Sequence, residues 1–209
     1  MGKLIAIDGV DASGKQTHTE LLCNHLADCG KKVRKLSFPM YDSPSSALVK
    51  MYLSGEFGSN AGDVDAYCAS TLFAADRFAT FRADWHRDYE DKDTVIIADR
   101  YVSSNMIHQA GKIENISEKE KFLDWLFEFE FGLYKIPQPD MTIFLDMPPE
   151  YGRILMQNRG NKFTNSEQLD IHERDCTYLE KSYENAVYVS RKFGWKHVSC
   201  ISDGKIRSI

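Results

Sequence analysis

Residues 9–16, Gly9-Val10-Asp11-Ala12-Ser13-Gly14-Lys15-Gln16, come directly after the apolar run Leu4-Ile5-Ala6-Ile7 and precede a helical pattern. A buried strand, a glycine turn and a helix N-terminus in this order bring several backbone N–H groups to one point. There the helix dipole and the Lys15 ammonium both favour negative charge. The spacing fits G-x-x-x-x-G-K, the loop that cradles nucleotide phosphates, so Gly9, Val10, Asp11, Ala12, Ser13, Gly14, Lys15, Gln16 and Thr17 form the candidate nucleotide-phosphate site. Gln16 stands where the motif expects a magnesium-binding Ser or Thr. Its amide can hold a metal-bound water but is a poor direct ligand, so that role passes to Thr17 or to a carboxylate. A strand-to-helix turn whose glycines only satisfy backbone geometry is the bland alternative. It does not explain why strand, both glycines, lysine and helix coincide.

The class of fold is decided by the alternation of segments along the rest of the chain. Short apolar segments at Leu4–Ile7, Val33–Phe38, Val95–Ala98, Met141–Leu145 and His197–Ile201 are separated by helical stretches, the pattern of a parallel sheet with crossover helices. Thr17–Ala27 carries Leu21, Leu22 and Leu26 at helical spacing and stops toward Gly30. Residues 63–87 predict a longer helix with Asp63 as N-cap, and Ser117-Glu118-Lys119-Glu120 reads as a capping box before Phe122, Leu123, Leu126 and Phe127. Pro148-Pro149-Glu150 starts another helix, and Leu169 to Lys192 supports a long last one. The expectation is one α/β domain over residues 1–209, a three-layer α/β/α fold with a five-stranded parallel sheet and a small lid segment at about 153–168. In such a sheet the site lies at the carboxyl ends of the strands, so residues just after 38, 98 and 145 should converge on the cradle.

Composition narrows the partners. A net charge of −5 gives no broad electrostatic footprint for a nucleic-acid backbone, so any polyanion must be small and locally held. The apolar stretches are far too short to span a bilayer. Met1-Gly2-Lys3 runs straight into the first strand without the features of a secretory signal, and the expected location is cytoplasmic. The five cysteines, Cys23, Cys29, Cys68, Cys176 and Cys200, are widely spaced and lack C-x-x-C pairs, which argues against a disulfide framework or a zinc site.

The remaining chemistry sits at the predicted strand ends and on one helix. Asp99-Arg100-Tyr101 ends the third strand, where a carboxylate can bind metal and an arginine can grip a second phosphate in a bidentate manner. Phe38-Pro39-Met40-Tyr41 is a stiff loop with two aromatics, equally readable as an ordinary packed turn. Phe73 and Arg77 lie four apart on a helix, so an aromatic plane and a guanidinium share one face. They can read a nucleobase, or be a core phenylalanine beside a surface arginine. Arg153, Arg159 and Lys162 occupy a polar stretch that can close over a triphosphate or simply be a solvated loop.

Taken in order, Asp8-Gly9-Val10-Asp11 with Gly14-Lys15, Phe38-Pro39, Leu72-Phe73 with Arg77, Asp99-Arg100-Tyr101-Val102-Ser103-Ser104-Asn105, Pro139-Asp140, and Asp170 with Glu173 resemble the thymidylate kinases of the P-loop nucleoside-monophosphate kinase group. The likeness runs through nearly the whole chain. It implies transfer of the γ-phosphoryl group of ATP to dTMP, giving dTDP and ADP, in the pathway to dTTP. By that resemblance Lys15 and the cradle amides hold the donor phosphates, and Arg100 neutralises the acceptor phosphate. Asp11 contacts the 3′-hydroxyl, and Asp99 organises Mg2+ together with Asp11 and Thr17. Phe73 stacks on thymine, Arg77 binds its carbonyl, and Ser104 and Asn105 border the base. Phe38, Pro39 and Tyr41 line the pocket, and His108 and Glu173 complete the substrate side.

Ala12 fills a cradle position where some members carry arginine and others move it to the lid, so Arg159 takes the closing role. Met40 replaces an arginine of some relatives, and His108 lies where an aromatic can reject a ribose 2′-hydroxyl. The resemblance further implies a homodimer through helices at 63–87 and 103–131. Two other classes stay open. A deoxynucleoside kinase would need a carboxylate at the acceptor 5′-hydroxyl. A GTP-dependent switch would need D-x-x-G and N-K-x-D, whereas the chain has Asp99-Arg100-Tyr101-Val102 and Asn161-Lys162-Phe163-Thr164.

Overall fold

The central strand is buried on both faces, and its alternation decides what each layer is made of. In the computed structural model, which describes residues 1–60, 62–156 and 176–208, β1 (Lys3–Asp8) is flanked by β3 (Thr94–Asp99) and β4 (Met141–Asp146). The sheet is completed by β2 (Lys32–Ser37) and β5 (Lys196–Ser199). All five strands run parallel, in the order β2-β3-β1-β4-β5.

Leu4 and Ala6 of β1, Ile96 and Ala98 of β3, and Phe144 of β4 pack on one side with Phe122, Leu123, Leu126 and Val189. Ile7, Ile97 and Leu145 form the opposite face with Leu22, Cys23 and Leu26 from α1 (Lys15–Asp28) and Tyr151 and Leu155 from α7 (Pro149–Met156). Period-two alternation with both faces apolar is what a sheet sandwiched between helical layers requires. The structure thus has the three-layer α/β/α fold that the strand pattern predicts.

The helices carrying the remaining layers are α2 (Ala47–Ser54), α3 (Ala66–Thr80), α4 (His86–Glu90), α5 (Val102–His108), α6 (Ile116–Phe127) and α8 (Cys176–Lys192). Three expectations are corrected at element ends. The helix predicted from residue 63 starts at Ala66, because Asp65 accepts from the N–H groups of Tyr67 and Cys68 at 2.8 and 3.0 Å, while Asp63 is used in a turn with Asn60. It passes through a wide π-turn at Phe81–Trp85 before α4. The capping box at Ser117 is not used as a cap. Asn115, in an extended conformation, accepts from Glu118 N–H at 3.1 Å, so the helix begins before that serine.

The last strand ends at Ser199, not Ile201. The chain then reverses through Asp203-Gly204, both at positive φ (51° and 69°), into a short antiparallel hairpin of β6 (Ile201–Ser202) and β7 (Lys205–Ile206). Two residues with φ above zero are what a type I′ hairpin demands, and Asp-Gly is a favoured pair for it. Among the described residues no helix is long and apolar enough to cross a membrane.

Candidate active site

The cradle is shaped by what a side chain would hit. A Cβ at Gly9 would lie 2.6 Å from the Leu145 carbonyl oxygen, so β4 can approach only a glycine there, and Gly14 begins α1 from the left-handed region at φ 79°. Asp8, fully buried at the end of β1, ties the loop to α5. Its carboxylate accepts from the hydroxyls of Ser103 (2.7 Å) and Ser104 (2.8 Å) and from Gly9 N–H (2.9 Å). Removing a buried carboxylate that satisfies three donors strands all of them. Asp8→Ala is therefore expected to cost about 3 kcal/mol of stability, read by urea unfolding; an unchanged midpoint would show that the tie carries no load.

Lys15 folds back over the loop, its ammonium donating to the carbonyls of Gly9 (3.1 Å) and Val10 (2.7 Å). Burial and the neighbouring Arg100 charge pull its pKa down to about 8, against the opposing pull of Asp11, Asp8 and Asp99. Gln16 turns away from the cradle, its amide donating to Glu20 at 3.2 Å. Thr17 lies half-buried on the first turn of α1.

Opposite the cradle, the end of β3 supplies Asp99, buried, and Arg100. Arg100 sits at φ 66°, a conformation that costs a long side chain roughly 1 kcal/mol or more, and its N–H bonds the Ile7 carbonyl of β1 at 3.0 Å. The strain aims its guanidinium back across the sheet. Nη2 donates to Asp11 Oδ1 at 2.6 Å and Nη1 lies 3.3 Å from His108 Nε2. Burial works against the Asp11 carboxylate, but the charges of Arg100 and Lys15 overcome it and hold the group far below the ordinary range. Arg100 in turn is kept cationic despite burial by Asp11, Asp8 and Asp99. Two cations and three carboxylates thus meet at the strand ends, and the two cations are the groups an anionic ligand can use.

The third wall is α3 with the loop after β2. Phe38 is only 3% exposed, packed against Trp85 and Tyr101 at centroid distances of 6.4 and 5.6 Å, so it supports this wall from behind. Pro39 and Tyr41 continue the loop, half-buried. Asp76 of α3 pins it, accepting from Met40 N–H at 2.9 Å and from the Ser45 hydroxyl at 2.5 Å. Phe73 is half-buried and meets Tyr52 edge-on at 6.0 Å. One turn on, Arg77 is buried in a bidentate pair with Glu130, Nε and Nη2 each 2.6 Å from a carboxylate oxygen. Ser104 is held on Asp8, and Asn105 donates to the Ser70 carbonyl at 3.3 Å. Arg159 and Glu173, with most of the predicted lid, lie outside the described residues, and Arg153 at the end of α7 pairs with Glu180 at 2.7 Å.

The structure therefore brings Lys15, Asp11, Asp99, Arg100 and His108 together and sets Phe73 and Arg77 on one helix. Sequence reasoning missed the parts played by Asp8, Ser103, Asp76 and Glu130. The position of Asp8 on the strand's last residue was the only available hint. A metal fits this donor set in one way. Among the described residues no three His, Cys, Asp or Glu form a cage for an ion; Asp11 Oδ1 is engaged by Arg100, and Asp99 with the other oxygen of Asp11 would suit an ion carried mainly by phosphates and water, the habit of Mg2+.

A parallel α/β/α sheet with a glycine–lysine loop after its first strand, facing an arginine from the next strand end, defines a nucleotide phosphotransferase fold and site. A model of the thymidylate kinase family matches residues 7–192, and the chain belongs to that family. It is 33% identical over 189 residues to the thymidylate kinase of Mycobacterium tuberculosis strain H37Rv, covering 88% of this chain and 83% of that protein. It is 32% identical over 194 residues to a probable thymidylate kinase of Saccharolobus solfataricus, covering 90% and 88%. With the human thymidylate kinase it shares 29% identity over 146 residues, 70% of this chain and 61% of the human one.

Proposed function

We propose that the chain is a dTMP kinase, transferring the γ-phosphoryl group of ATP to the 5′-phosphate of dTMP to give dTDP and ADP, a step toward dTTP. The observation that carries this reading is the Arg100–Asp11 contact at 2.6 Å. A cation suited to an acceptor phosphate is held on the very loop proposed to bind the donor. Phosphoryl transfer asks little covalent help of the protein. The acceptor is already an anion, so the task is to place two anions in line and screen their repulsion. Lys15 and the cradle N–H groups hold the donor phosphates. Arg100 exchanges part of its hold on Asp11 for the acceptor phosphate, and Asp11, relieved of one contact, takes the 3′-hydroxyl. Phe73 offers a face to thymine, with Arg77, Ser104, Asn105, Tyr41, Pro39 and His108 around it. Mg2+, with Asp99, Asp11 and Thr17 near it, would supply charge neutralisation between the donor phosphates.

Arg159 and Glu173 enter this reading by family likeness, Arg159 as the lid cation that meets the charge developing in transfer. So do a single domain with its lid at about 153–168, a cytoplasmic location and a homodimer. The homodimer also draws support from half-exposed aromatics on α3 and α6, Tyr67, Phe78 and Phe127.

The reading is tested by coupled ADP release with ATP, Mg2+ and a panel of nucleoside monophosphates, with thymidine as control. dTMP should be the preferred acceptor. Turnover of thymidine alone, or none with dTMP, would reject it. A pH dependence arises from Lys15. Its ammonium is present below about 8 and lost above, so kcat/KM for ATP should fall as pH rises through that value. A bound triphosphate favours the charged form, so the corresponding limb in kcat should appear at higher pH. Profiles of both constants at saturating dTMP check this, and coincident limbs would count against it.

A further inference from the structure

Arg77 does not stand alone on its helix. Glu130, fully buried in the π-turn Glu128–Leu133 that continues α6, grips it from the other side of the layer. The two parallel bonds use the Nε–Nη2 edge of the guanidinium, and Nη1 reaches the Tyr101 carbonyl at 3.4 Å. Three of its N–H groups are thereby committed, and these bonds leave two of the five that any guanidinium has. Asn105 adds a hydrogen bond to the same carboxylate. A buried ion pair is a poor way to gain stability, since apolar side chains of the same volume do as well or better. Its use is orientation: a guanidinium fixed in plane, unable to rotate, with its unused donors on the edge away from Glu130.

We infer that Glu130 is the positioning residue of the acceptor-base site, holding Arg77 so that its unused N–H groups select a pyrimidine with an oxygen at C4 over one with an amino group there. This rests on the dTMP kinase reading. A 4-oxo base gives the edge an acceptor. A 4-amino base turns its own N–H groups on it and leaves donors facing donors, which buried sites penalise strongly.

Glu130→Gln keeps the shape, but its NH2 group faces one of the arginine donors, so one bond is lost and the plane is no longer fixed. Expected is a fall in kcat/KM for dTMP of about tenfold, carried by KM, with KM for ATP unchanged and the preference for dTMP over dCMP narrowed. In an Arg77→Met background the same change should leave base preference where Arg77→Met alone puts it. A merely structural carboxylate would lower the melting temperature and affect both substrates alike, without touching base preference. Unchanged preference in a folded Glu130→Gln enzyme, or a shift that persists without Arg77, overturns the inference. Should the variant not fold, the wild-type structure with dTMP bound decides. Arg77 donating to the base O4 while still paired to Glu130 upholds it, and a base beyond reach of Arg77, or a Glu130 that has let go, overturns it. Wild-type enzyme with no dTMP turnover sinks the underlying reading, whereas normal wild-type turnover with unaltered base preference in Glu130→Gln sinks only this step.

Discussion

Lys15→Ala lowers kcat with ATP and dTMP by on the order of a thousandfold while leaving the melting temperature unchanged or raised. The two halves of this result have separate causes. The ammonium lies within 3.1 Å of the Gly9 and Val10 carbonyls, folded back over the loop, so it is the mobile charge best placed to track the donor phosphates through transfer. Among the described residues no second cation takes its place, because in the proposed reaction Arg100 serves the acceptor phosphate, and Gln16, turned to Glu20, carries no charge. Stability answers differently. A lysine whose pKa is pulled down to about 8 is one whose charge the fold disfavours relative to water, mainly through burial. Deleting it removes that penalty, and the carbonyls it leaves border the ligand site, where water can take its place. The check is steady-state kinetics beside a thermal melt. A variant within tenfold of wild type would remove Lys15 from the transfer step. A large drop in melting temperature would mean that the lysine bonds hold the loop together.

The parts of this site that were legible in the sequence are those whose physics is local or is set by strand order. The apolar run Leu4–Ile7, the two glycines and Lys15 are contiguous, so strand, turn and helix could be read in one pass. Asp99 and Arg100 were found because a parallel sheet brings the carboxyl ends of adjacent strands together whatever separates them in the chain. Glu130 could not be found in this way. It lies 53 residues from Arg77, in a π-turn that obeys no helical period, and a glutamate after an amphipathic helix reads as solvated surface. Asp8 was seen only as part of a motif, because its partners Ser103 and Ser104 arrive from a helix across the sheet. The shifted start of α6 and the hairpin at Asp203-Gly204 are misses of another kind. Both carry local signals: the asparagine before Ile116 weighed less than the capping box, and the Asp-Gly pair lies just beyond the strand read at His197–Ile201 and was not read as a turn.

The second large effect belongs to Arg100. Arg100→Met is expected to reduce kcat/KM for dTMP by on the order of a thousandfold, because it removes the cation that meets the acceptor phosphate in both ground and transition states. Methionine is a fair replacement at φ 66°, since it is unbranched at Cβ and suffers the left-handed backbone no more than arginine does. The loss is compounded from an unexpected side. Arg100 is the chief charge holding Asp11 ionised in a buried place, and without it the loop keeps a carboxylate facing incoming phosphates with less to offset it. ATP affinity should then weaken as well, though by far less, about tenfold or under. Adding Asp11→Asn to Arg100→Met separates the two effects. The amide removes the repulsion and should restore ATP binding, measured at equilibrium with a non-hydrolysable analogue, while dTMP turnover stays low because the acceptor cation is still missing. Recovery of dTMP turnover in the double variant would show instead that Arg100 serves only to neutralise Asp11, and the acceptor phosphate would need another partner.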